Sequence, residues 1–151
     1  MEERTVSHWE ELTKLDLYMD QVCLAVADAI LPVAGSQEGA LTPTMVNNYV
    51  KRKLLEAPKK KKYSTAHVSR LIIITLLKRV LSLNEIDAVL NDLFTDREDQ
   101  AGYSLFGEAL AAALAGAPIP VGCPALLAAA LRSLAGKLEV ERILGESIAR
   151  A

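Results

Sequence analysis

Two cysteines and two histidines are all that this 151-residue chain offers for thiol or metal chemistry, and neither pair is spaced to act together. Cys23 and Cys123 sit in apolar surroundings with no CxxC spacing and no secretory leader ahead of them. They are therefore expected as reduced, buried thiols of a cytoplasmic protein. No nucleophile stands beside a base, and no glycine-rich phosphate loop follows a strand, so neither an enzyme nor a cofactor is expected. Asp96, Glu98 and Asp99 match no calcium-loop spacing, and the sparse Cys/His set makes no zinc site. Aromatics amount to 5% of residues, too few for an aromatic ligand cage, and no effector ligand is assigned. The one long uncharged run, Ala109 to Leu131, is interrupted by Gly116, Pro118, Pro120, Gly122 and Pro124. It is expected as two short buried helices around a turn, not as a membrane span.

What the chain does have is a displaced charge. From Thr42 to Val80 there are ten basic residues against the single Glu56, a local balance of +9. The remainder carries seven basic and eighteen acidic residues, or −11, so the net charge of −2 conceals a strongly cationic quarter of the chain. Positive charge gathered in this way is the electrostatic footprint of a polyanion site.

Apolar spacing predicts an all-α fold. Leu12, Leu15, Met19, Val22, Val26 and Ile30 recur at helical intervals and predict a first helix over about His8 to Leu31. His8 and Trp9 would anchor it, Pro32 and Gly35 would close it, and a loop would follow from Ala34 to Gly39. Thr42-Pro43 then supplies an N-cap and a proline at the first helical position. Met45, Val46, Tyr49, Val50 and Leu54 mark the inner face of the second helix. Glu56 to Tyr63 is a basic loop or tight ribbon, anchored by Tyr63. Ser64 caps a third helix whose Leu71 to Leu77 run is apolar nearly all round and so central, with His67 as a surface polar residue. Ser82-Leu83-Asn84-Glu85 is a capping box with Leu81 and Ile86 at the staple positions, opening a fourth helix that runs to about Phe94. After an acidic loop, Thr95 to Gln100, helical stretches are expected near 105–115, 125–134 and 138–149. Residues 1–94 would form the functional core. Residues 95–151 would be an Ala/Leu-rich extension that completes that core or buries a homodimer interface.

Over Thr42 to Phe94 the order of helix, basic wing, long helix and capped helix resembles the MerR-type winged helix-turn-helix. "TMVNNYVKRKLL" (44–55) is similar to that family's recognition helix, "APKKKKYS" (57–64) to its basic wing, and "LSLNEIDAVL" (81–90) to the start of its following helix. With the block "LYMDQV" (17–22), the chain more closely resembles an uncharacterised bacterial family, a domain of unknown function with a MerR-like core. The resemblance implies a DNA-binding transcriptional regulator. Asn47 and Asn48 could grip adenine edges, while Lys51 and Arg52 reach guanine or phosphate. Thr44 would meet phosphate at the helix N-terminus. Lys59, Lys60, Lys61 and Lys62 would follow the backbone of double-stranded DNA, with Tyr63 beside them. The alternative is a non-enzymatic interaction module that keeps the winged fold and docks an acidic protein surface instead.

Overall fold

A computed structural model describes residues 4–35 and 41–150, the last four as backbone only. Among the described residues the chain folds into six α-helices preceded by a single 3-10 turn, Trp9–Glu11. The helices are α1 (Met19–Ala34), α2 (Pro43–Lys51), α3 (Thr65–Leu77), α4 (Leu83–Phe94), α5 (Asp99–Ala115) and α6 (Ala125–Arg150). The all-α expectation holds. In place of strands there are two isolated antiparallel bridges, Leu17 with Tyr63 and Lys59 with Lys62.

The apolar run of α3 makes it the hub. Leu71, Ile72, Ile73, Ile74, Leu76 and Leu77 are wholly buried, and α1, α5 and α6 all pack on this helix. One hydrophobic cluster takes in Val22, Val26 and Ile30 of α1, Ile86 and Leu93 of α4, Tyr103 and Phe106 of α5, and Leu127 and Leu134 of α6. The C-terminal helices thus complete the same core as the N-terminal ones. Among the described residues no helix is long and apolar enough to cross a membrane.

The local start signals act as expected. Thr42 accepts from the Met45 amide at 3.3 Å, with Pro43 leading α2. The Ser82 hydroxyl accepts from the Glu85 amide at 3.2 Å, and the Glu85 carboxylate accepts from the Ser82 amide at 2.7 Å. That backbone bond holds the Glu85 carboxyl below the usual carboxylate range. The stability it contributes is therefore present above the ordinary carboxylate range and is lost as pH falls through the lowered value.

Several boundaries differ from the sequence expectation. The first helix begins at Met19, not near His8, and Leu15 is 74% exposed. Residues 13 to 17 bend instead of coiling: the Leu15 amide donates to Thr13 Oγ1 at 3.2 Å, Leu17 and Tyr63 exchange two backbone bonds of 2.8 Å, and the Thr65 hydroxyl donates to Thr13 O at 2.6 Å. Pro32 does not end α1. It lies in the last turn, where one missing exposed bond is tolerated, and Gly35 at φ 69° closes the helix through its amide to Leu31 O at 2.9 Å. Most of the expected loop from Ala34 to Gly39 falls on residues 36–40, outside the described residues. α5 begins at Asp99, inside the expected acidic loop, where Arg70 reaches Asp99 at 2.9 Å. α6 is continuous through Gly136, a residue that costs a helix only about 1 kcal/mol. Cys23 and Cys123 are free and half-buried, and burial pushes both thiols up.

The Phe94 ring is held on two sides. The Arg70 guanidinium lies 3.5 Å from its centroid, and a Cβ on Gly102 would overlap its Cε1 and Cδ1 atoms. Gly102→Ala therefore forces the ring against a guanidinium already tied to Asp99. This overpacking outweighs the helix-propensity gain, and a net loss of about 1–2 kcal/mol is expected in urea unfolding.

Candidate nucleic-acid interface

α2 divides cleanly into two faces. Val46 and Tyr49 are buried against the core, at 0% and 1% exposure, which turns Thr44, Asn47, Asn48 and Lys51 outward together, with Arg52 at the C-cap. Arg52 is steadied by Asn84 at the start of α4, whose Oδ1 accepts from Nη2 at 3.4 Å. The helix ends in a reversal. The Lys53 amide donates to Val50 O at 3.0 Å and the Leu54 amide to Tyr49 O at 2.9 Å, which places Lys53 in the left-handed conformation at φ 62°.

The four consecutive lysines form a two-residue hairpin turn. The Lys59 amide donates to Lys62 O at 3.1 Å and the Lys62 amide to Lys59 O at 2.9 Å, with Lys60 and Lys61 at φ 52° and 64°. Both central residues at positive φ define a type I′ turn, which normally takes Asn-Gly. Lys53, Lys60 and Lys61 are the non-glycine residues with positive φ in the described chain, and all three are lysines of this cationic segment. Replacing Lys60 and Lys61 together by Asn and Gly is expected to stabilise the fold by about 1–2 kcal/mol, read by urea unfolding.

Tyr63 belongs to the core, not to the exposed set. It is 3% exposed, paired with Leu17 through the backbone, and its ring meets His67 edge-on at 5.4 Å. His67 is likewise no surface residue. Nδ1 accepts from the Ser64 amide at 3.0 Å, so the proton sits on Nε2, which donates to Glu56 O at 3.0 Å. These bonds fix the approach from α2 and the exit into α3, so the hairpin projects from a rigid base.

The structure also sorts the charge. Arg70 is tied to Asp99, and Arg79 to both carboxylate oxygens of Glu141 at 2.8 and 2.7 Å. Lys51, Arg52, Lys53, Lys59 to Lys62 and Lys78 have no ion pair among the described residues. All eight are exposed. Lys62 hovers 5.4 Å from the Tyr18 ring centroid and Lys78 5.9 Å from that of Tyr49. Lys53, Lys78 and Asn84 thus join the surface by their positions in the fold. The Lys53 position had a sequence signal, since it stands where a helix C-terminus ordinarily takes glycine. Among the described residues no group of His, Cys, Asp and Glu could hold a metal ion.

Among the described residues the chain is thus an all-helical domain with exposed cations free of ion pairs on one short helix, its C-terminal turn and one lysine hairpin. It belongs to the family described as a domain of unknown function, DUF1836, whose sequence profile matches residues 7–107 and so takes in all of these cations. No curated protein and no solved structure gives a match.

Proposed function

We propose that this chain is a cytoplasmic DNA-binding transcriptional regulator, with α2 entering the major groove and the Lys59–Lys62 hairpin serving as the wing of a MerR-like winged helix-turn-helix. The observation that carries the proposal is the set of left-handed lysines. Gly or Asn would fold better at Lys53, Lys60 and Lys61, and each strained residue costs on the order of 1 kcal/mol. Strain kept at three positions of one residue type is most simply accounted for by what lysine brings there and glycine or asparagine cannot, a long-armed positive charge free to meet phosphate.

The division of labour follows from chemistry. Asn47 and Asn48 carry the paired donor and acceptor that match adenine N6 and N7, and Lys51 and Arg52 lie one turn further along the same exposed face. The hairpin lysines bind any sequence alike. Selection of sites from a random duplex pool tests this directly. The intact chain enriches a motif, and Asn47→Ala with Asn48→Ala flattens it by about 1–3 kcal/mol per affected base pair while non-specific affinity is unchanged. Enrichment of no motif, together with salt-sensitive capture by an acidic protein surface, would favour the interaction module instead.

A further inference from the structure

Among the described residues α6 buries one side and exposes the opposite side. Leu127, Leu131, Leu134 and Leu138 face the core, whereas Leu126, Ala129, Ser133, Gly136, Val140 and Ile143 are all exposed. The exposed six alternate by three and four residues, the spacing of a coiled-coil seam. Leu126, Val140 and Ile143 are 45%, 50% and 49% exposed, although each would be at home in a core. Among the described residues Gly136 packs against nothing. A Cβ there would meet nothing within 4 Å, and alanine would stabilise the helix by about 1 kcal/mol.

The geometry points to a second copy of this chain as the occupant, with the two α6 helices packed antiparallel. The stripe is complementary to itself about a dyad between residues 134 and 135. In that register Leu126 faces Ile143 of the other copy, Ala129 faces Val140, and Ser133 faces Gly136. Large side chains meet at both ends and small ones let the backbones approach at the centre. The flanks agree in charge. Arg132 has no ion pair among the described residues, and the same register sets it on the flank beside Glu139 of the other copy, where it would join the pair that Glu139 already makes with Arg142, twice by symmetry. A parallel pair would instead bring Arg132 towards Lys137. From Leu126 to Ile143 the seam runs about 26 Å, at 1.5 Å per residue. With its flanking stems it covers on the order of 600 Å² per partner, near the roughly 800 Å² of a standard stable interface. The inference is independent of DNA binding, because none of these residues lies on the cationic face.

Sedimentation velocity on the full chain tests it. The intact protein is expected to sediment as a dimer at about 100 μM, and Ile143→Glu is expected to weaken association at least a hundredfold with its helical circular dichroism unchanged. A cross-linking experiment in a Cys23→Ser, Cys123→Ser background reads the direction. Leu126→Cys and Ile143→Cys chains are expected to form a disulfide when mixed and not when oxidised separately. A monomer at that concentration, a dimer indifferent to Ile143→Glu, or cross-linking of Leu126→Cys chains with one another would each overturn the assignment.

Discussion

Glutamine at Lys59, Lys60, Lys61 and Lys62 together is expected to lower affinity for duplex DNA about a thousandfold at 150 mM salt, and by the same factor for every sequence. The size follows from counterion release. Each neutralised phosphate contributes about 0.9 to the slope of log affinity against log salt, so four contacts contribute about 3.6, or three decades between 1 M and 150 mM. The loss is uniform because phosphates carry no sequence information. The variant keeps its fold, since these side chains are exposed and make no ion pair among the described residues. Fluorescence anisotropy with two unrelated duplexes checks both halves. A loss confined to one duplex would place the hairpin in base reading, and no loss would remove it from the interface.

Phe106→Ala is expected to cost about 3–5 kcal/mol, the largest effect of a single core substitution here. Phe106 is wholly buried on α5, in the cluster that includes α3 and α6. Removing the ring leaves a cavity in one contiguous, close-packed cluster that relaxes only in part. A drop of that size in urea stability, sensed equally by probes on α2 and α6, would show that the helices unfold as one unit. A smaller drop seen only near α6 would divide the chain into two cooperative parts.

The legible parts of the fold were those written in local chemistry. Thr42, Ser64 and Ser82 each act through a side chain on the amide three residues away, so their signal survives in sequence. The all-apolar run of α3 likewise announced a central helix. What failed was decided by distant partners. Leu12 and Leu15 keep helical spacing, yet the Leu17 to Tyr63 pairing, across more than forty residues, holds that segment out of a helix. His67 reads as a polar surface residue until Ser64 and Glu56 enclose it. Tyr63 falls beside the lysines in sequence and inside the core in space. Of the candidate site, the outward set Thr44, Asn47, Asn48, Lys51 and Arg52 came directly from the period of α2. The strained conformations of Lys60 and Lys61 could not be foreseen, because nothing in four successive lysines fixes where a turn falls.

The most direct measurement is anisotropy of a mixed-sequence duplex titrated with the intact chain across a salt series. Eight exposed cations on one segment, without ion pairs among the described residues, predict tight binding at low salt and a log–log slope of about −5 to −7. A slope near zero, or no binding at about 20 mM salt, would contradict a DNA-facing surface.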